Sequence, residues 1–243
     1  MRNGHPIRAR RDNVNTLCCH LASWFFAEDV KLLERAIAMR WADLEAFRRV
    51  SPPLIAVKLL VSGEDHRNGR HSGIDLRATA RAMWRTVWHG RREGGSTIEQ
   101  QLVRVLTRRY EPTLRRKIRE MVLAVTVARR FEKRLLATVY LDAACYGWRM
   151  NGFAEACQRL AASPTRLDLI TAAALVARLK YPQPKQWSDL RMAQIEGRAK
   201  HLLSLHERHK LDLTYAHLGV HNGNPSVHSI GVARKNFVAE STT

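Results

Sequence analysis

Cysteine, acidic residues and long apolar runs are all scarce in this 243-residue chain, and each scarcity excludes something. The four cysteines, Cys18, Cys19, Cys145 and Cys157, form no CxxC pair and have no metal-ligand spacing. That rules out a disulfide framework or a zinc site and leaves buried free thiols as the expected state. The longest apolar stretch near the N-terminus, Leu17 to Ala27, is broken by His20 and Ser23. It falls far short of the roughly 20 residues a membrane span needs. With Arg8, Arg10 and Arg11 before it, this stretch has the outline of a poor signal sequence without a clear cleavage site. Acids number 22 against 41 Lys and Arg, a formal charge of +19. Such a field selects polyanionic partners: nucleic acid, an anionic membrane surface or a phosphate-rich substrate. No helix-turn-helix signature or aromatic stacking set is present, so nucleic acid is not expected. Internal repeats, low-complexity tracts and strand signals are likewise lacking. Hydrophobic content of 45% argues against disorder, and the length suffices for a real core.

What is present is helical periodicity. Val30, Leu33, Ile37, Trp41, Leu44 and Phe47 recur every three to four residues and predict a long amphipathic helix that Ser51-Pro52-Pro53 ends. Asp75 to His89 predicts another, capped by Asp75, with an apolar stripe of Leu76, Ala80, Met83, Trp84, Val87 and Trp88. After the Gly94-Gly95 turn, Ser96 and Glu99 satisfy the S-x-x-E capping box. Further helices are expected from Thr113, from Glu132 to Asp142, from Leu167 to Leu179 and around Asp189 to His206. The last 25 or so residues read as a loose tail.

Three words carry possible chemistry. Glu64-Asp65-His66-Arg67-Asn68-Gly69-Arg70-His71-Ser72-Gly73 sets two acids and a histidine beside glycines. Gly95-Ser96-Thr97-Ile98-Glu99-Gln100-Gln101-Leu102-Val103-Arg104 opens a helix with polar groups, whose free backbone N–H groups suit an anion. In Arg116-Lys117-Ile118-Arg119-Glu120, the glutamate shares a helix face with Arg116 and Lys117 at i−4 and i−3. Each has a plain structural alternative: a solvated turn pair at Glu64-Asp65, capping at Ser96, and a surface ion pair at Glu120.

In this order and spacing the words resemble the glycosyltransferase domain that polymerises peptidoglycan from lipid II, found in monofunctional transglycosylases and class A penicillin-binding proteins. Tyr140-Leu141-Asp142, Gly147 and Gly152-Phe153-Ala154-Glu155-Ala156 extend the resemblance across about residues 50 to 184. It implies an all-α, lysozyme-like, two-lobed domain with a smaller apolar lobe against the membrane. It leaves 1–49 as an N-terminal extension with an amphipathic helix and 185–243 as a basic C-terminal helix and tail. It further implies an inverting hexosyltransferase with Glu64 as general base and Glu120 assisting at the donor side. Asp65, His71, Ser96, Thr97, Gln100, Gln101, Arg104, Arg116 and Lys117 would bind substrate and its pyrophosphate. A divalent ion, Mg²⁺ or Mn²⁺, beside Glu120 is compatible with the family. Partners would be lipid II, the growing glycan, an anionic membrane surface and other cell-wall synthesis proteins, at the periplasmic face of the cytoplasmic membrane. Since the chain ends soon after this region, a monofunctional enzyme is expected. Asn68 for an aromatic, Glu99 for threonine, Arg104 for lysine, Pro112 for arginine and Asp142 for asparagine depart from the family pattern. They keep open a degenerate, non-catalytic member that binds glycan or a cell-wall partner.

Overall fold

The computed structural model describes His20 and residues 24–89 and 94–219. The signal-like stretch and the expected tail lie almost wholly outside these residues. The described residues are mostly α, as expected: α1 (Ala27–Glu45), α2 (Leu54–Glu64), α3 (Leu76–His89), α4 (Ile98–Thr107), α5 (Leu114–Arg130), α6 (Lys133–Ala143), α7 (Phe153–Arg159), α8 (Leu169–Lys180) and α9 (Asp189–Leu211). A minimal antiparallel hairpin, β1 (Cys145–Gly147) with β2 (Met150–Asn151), follows α6.

Helix α2 is the hub. Ala56, Val57, Leu59, Leu60 and Val61 are all buried, so it is apolar on nearly every side and needs neighbours all round. α6, α8 and α9 supply them, while α4 packs between α5 and α6. α9 buries Ile195, Ala199 and Leu202 in the same core, although it lies beyond the 50–184 region of resemblance. The chain after α9 turns back: Tyr215 bonds Ser62 of α2 and His206 of α9, and Leu218 is buried.

Local signals explain most helix starts. Asp75 Oδ1 accepts from the N–H groups of Arg77 and Ala78, and Thr113 and Asp168 cap α5 and α8. α1 buries Val30, Leu33, Ile37 and Leu44 but stops at Glu45; Phe47 has positive φ and lies exposed. Asp142, in place of an asparagine, is buried between Arg40 at 2.7 Å and Arg49 at 3.0 Å. Two arginines thus compensate one buried charge and pin α1 to α6. Among the cysteines described, Cys157 is buried, whereas Cys145 is exposed, contrary to expectation.

The stripe on α3 differs from a core stripe. The Trp84 and Trp88 rings lie 5.1 Å apart, tilted by 33°, yet are 60% and 67% exposed, and Leu76 is exposed as well. Periodicity reports an apolar face; what covers that face depends on tertiary packing. α3 approaches the rest of the molecule at Gly95, where an added Cβ would lie 2.9 Å from Ala82 Cβ.

Candidate active site

Glu64 is the last residue of α2, where a carboxylate faces the negative end of the helix dipole. Two donors offset that: Arg198 Nη2 at 3.0 Å and Gln101 Nε2 at 3.2 Å, one to each oxygen. Arg198 also donates to the Gly63 carbonyl at 2.7 Å, filling an acceptor at the helix end. Gly63 leaves room for this approach and for α9: an added Cβ would lie 3.0 Å from Arg198 Nη2 and 2.3 Å from Leu202 Cδ2. Tyr140 donates its hydroxyl to Gln101 Oε1 at 2.7 Å, which turns the Gln101 amide N–H toward Glu64. Burial and the nearby Glu64 charge raise the Tyr140 pKa, so the hydroxyl remains a donor. The Glu64 side chain keeps 21% exposure and lines a cleft with Arg67, Arg81, Ser96 and Thr97.

Asp65, in contrast, turns inward. It accepts from His71 Nε2 (2.9 Å), Asn68 Nδ2 (3.2 Å) and the Ile98 backbone N–H (3.3 Å). Burial alone would raise its pKa, but the hydrogen bond and charge of His71 outweigh it and hold the carboxyl below its ordinary value. Thr97 ties the first word to the second by donating to the Gly73 carbonyl at 2.7 Å. Gly73 sits at φ +93°, 2.5 Å from the Ala124 carbonyl as measured from an added Cβ, so no other residue fits there.

The expected capping box does not form. Thr97 is the N-cap of α4, accepting from Gln100 N–H at 3.3 Å. The cap is thus one residue later than the S-x-x-E pattern places it. Ser96 and Glu99 are freed for other partners. Ser96 Oγ accepts from Lys117 (2.9 Å) and Arg104 (3.4 Å). Glu99 is fully buried, taking Lys133 Nζ at 2.5 Å and Asn68 Nδ2 at 3.1 Å.

Glu120 is 3% exposed and enclosed by cations. Arg104 grips it through Nε and Nη2, both at 3.0 Å, Lys117 donates at 2.8 Å, and Arg116 pairs from one turn back. Lys117 also bonds Gln100 Oε1 at 2.7 Å. Burial would raise the Glu120 pKa; the hydrogen bonds from Arg104 and Lys117 reverse this and lower it. Burial among positive neighbours lowers the Lys117 pKa, while its bond to Glu120 opposes the shift. Three cations around one carboxylate leave an excess of positive charge beside Ser96, which suits a phosphate group. A divalent ion at Glu120 does not fit these residues. Each carboxylate oxygen already accepts two cationic donors, and the space around it is positive.

Gln101 and Arg104, three residues apart on α4, bring Glu64 and Glu120 to the same helix one turn apart. The exposed Arg108, Arg109 and Arg115 take no part among the described contacts to Glu120. Sequence reasoning missed Arg198, Lys133 and the orienting role of Tyr140. Arg198 and Lys133 stand outside any quoted word, and only Tyr140 lay in one.

A sequence model of the family described as Transglycosylase matches residues 31–206. The chain is 32% identical over 164 residues to the biosynthetic peptidoglycan transglycosylase of Rhodospirillum centenum, covering 67% of this chain and 68% of that protein. It is 30% identical over 154 residues to penicillin-binding protein 1A of Rickettsia felis, covering 62% of this chain and 19% of that protein. Penicillin-binding protein 1F of Bacillus subtilis is 34% identical over 97 residues, 40% of this chain and 14% of that protein. The chain therefore spans a fifth or less of these two penicillin-binding relatives.

Proposed function

Because the chain belongs to the transglycosylase family, we propose that it is a peptidoglycan glycosyltransferase that polymerises lipid II into glycan strands. The observation that carries this reading is the placement, on one face of α4, of a cleft-lining carboxylate and a cation cluster with surplus charge. Glu64 accepts the proton of the acceptor sugar's 4-hydroxyl as its oxygen attacks the donor's anomeric carbon. The new C–O bond forms with inversion as the bond to the polyprenyl pyrophosphate breaks. Negative charge then develops on the departing phosphate, where Arg104, Arg116, Lys117 and Ser96 meet it. Glu120 acts by holding those cations together. Asp65, His71, Thr97 and Gln100 shape the loop and helix start; Gln101 orients Glu64.

No helix among the described residues is long and apolar enough to cross a membrane. The exposed tryptophans of α3 and the +19 charge support peripheral attachment to an anionic membrane at its periplasmic face, in the cell-envelope setting of the relatives.

Most departures from the family pattern have partners in the fold: Arg104 on Glu120, Asp142 on Arg40 and Arg49, Asn68 on Asp65 and Glu99. This favours a working enzyme over a degenerate binding module. Polymerisation of labelled lipid II by the purified protein, followed by gel separation of the products, tests it. Turnover supports the enzyme; glycan or lipid II binding without turnover supports the binding module.

A further inference from the structure

The chain after α9 reaches back to the loop that follows Glu64, although the match to the family ends at residue 206. Leu213, at φ +53°, turns the backbone, and a short 3₁₀ turn, Ala216–Leu218, follows. Contacts along this segment hold it in place. Tyr215 bonds Ser62 of α2 and, at 2.7 Å, His206 of α9. Leu218 is buried, and Arg134 of α6 donates to the Gly219 carbonyl at 3.3 Å. Between them His217 lies against the loop, with Nε2 3.0 Å from Asn68 Oδ1. We propose that His217 is a positioning residue that fixes the Asn68 amide and, through it, the loop beside Glu64.

The surroundings of Asn68 show why a donor is needed there. Asn68 is fully buried, and Nδ2 gives one N–H to Asp65 Oδ2 at 3.2 Å and the other to Glu99 Oε1 at 3.1 Å. Both carboxylates act as acceptors: Asp65 also takes His71 and the Ile98 N–H, and Glu99 takes Lys133. The NH₂ end of the amide must therefore face them, which turns its oxygen toward His217. A buried carbonyl oxygen without a donor is costly, and among the described contacts His217 Nε2 is the only donor to this one. Without it the amide is free to rotate and set its oxygen against two carboxylates.

Gly69 matches this packing. An added Cβ there would lie 2.6 Å from His217 Nδ1 and 2.7 Å from Cγ, so a larger residue drives the ring from the loop.

The hold on Asn68 reaches Glu64 from two directions. Asp65 is its chain neighbour, and the same carboxylate accepts the Ile98 N–H at the start of α4. α4 in turn carries Gln101, which donates to Glu64. A segment beyond the family match thus braces both the residue after Glu64 and the helix that orients Glu64. The kinetic consequence rests on the reading of Glu64 as base; the positioning itself does not.

The test compares the full-length wild type with three variants. His217→Leu keeps bulk without a donor, His217→Gln offers an amide N–H in place of Nε2–H, and Gly69→Ala displaces the ring. Hydrogen exchange needs no substrate and is read at the Asn68, Arg70 and Ile98 amides, which bond the Asp65 carbonyl, the Arg67 carbonyl and the Asp65 carboxylate. In His217→Leu and Gly69→Ala, exchange there should quicken about fivefold, the equivalent of one net hydrogen bond, while the core of α2 exchanges as in wild type. His217→Gln should restore the wild-type rates. With lipid II, His217→Leu should lower kcat about fivefold with KM little changed, and His217→Gln should recover it. Unaltered loop exchange in His217→Leu overturns the proposal. So does a His217→Gln protein that exchanges as quickly as His217→Leu, or faster exchange throughout the chain, either of which makes His217 a packing residue alone. Should His217→Leu fail to fold, Gly69→Ala against wild type decides. The expected exchange pattern without lipid II turnover by any of the proteins removes the proposed function and leaves the brace standing.

Discussion

Glu64 and Glu120 are both carboxylates facing α4, yet their surroundings differ in kind. Glu64 ends a buried helix, has one arginine and one amide as donors, and opens onto a cleft. Glu120 lies inside three cations that occupy both its oxygens. A lightly held, accessible carboxylate can take up a proton from a substrate. One with every lone pair engaged can only organise the charges around it. The contrast fits the proposed division, with Glu64 on the acceptor's proton and Glu120 among the cations on the donor side.

The sharpest way to break this contrast is Glu64→Gln. Glutamine keeps the shape and one accepting oxygen but takes no proton. General-base catalysis contributes about 10²–10⁴-fold, so polymerisation should fall by that order while thermal unfolding stays near wild type. A variant that polymerises at the wild-type rate removes Glu64 from the role of base.

Glu120→Gln should chiefly damage the fold. Removing one partner from a buried ionic cluster leaves uncompensated charge and costs about 3 kcal/mol or more. The wild type supplies a pH test of the same point. The folded-state pKa of Glu120 lies below its ordinary 4.5, so its contribution to stability is full above that value. That contribution is lost as pH falls through the folded-state pKa. Urea unfolding should show the wild type losing stability under acid more steeply than Glu120→Gln. Parallel profiles would mean that the cluster contributes little.

Much of this was legible in the residues themselves. Asp75 and Thr113 announce their helices, because a side-chain cap is a local device that local sequence encodes; the Asp168 cap sits inside the expected Leu167 start and was not read. The Arg116-Lys117-Glu120 face followed from helix spacing, which tertiary packing leaves intact. The failures share the opposite cause. Whether Ser96 or Thr97 caps α4 depends on where Lys117 and Gly73 lie, both distant in sequence. Whether the α3 stripe is covered depends on what packs over it. Arg198 stands 134 residues from its carboxylate on a helix that reads only as basic, and no pattern within α9 points to Glu64.

Arg198 offers the next test of how lightly Glu64 is held. Arg198→Ala removes hydrogen bonds to a charged group and to a helix-end carbonyl, contacts of about 1.5–3 kcal/mol in buried settings. Polymerisation should fall about tenfold or more with a lower kcat and little change in KM, and Arg198→Lys should recover part of it. A loss of stability with kcat unchanged would make Arg198 a packing residue alone.

The smallest effect, and the most selective, belongs to Tyr140→Phe. The hydroxyl fixes which end of the Gln101 amide faces Glu64, and its removal leaves the ring's packing in place. With Oε1 unpaired, the amide can turn its oxygen toward the carboxylate and lose one of the two donors that position Glu64. A net hydrogen bond is worth about 1 kcal/mol, equivalent to about a fivefold change in rate. The same 1 kcal/mol lowers the melting temperature of a protein this size by about 2–4 °C. Because Tyr140 touches the Glu64 side of α4 and Glu120 is held from the other, acid-induced loss of stability should match wild type. Polymerisation rates and acid unfolding measured on the one variant check both halves. A fivefold loss of rate with an unaltered acid profile separates the two carboxylates functionally. A shifted acid profile would show that α4 couples them, and that the base and the phosphate cradle form a single electrostatic unit.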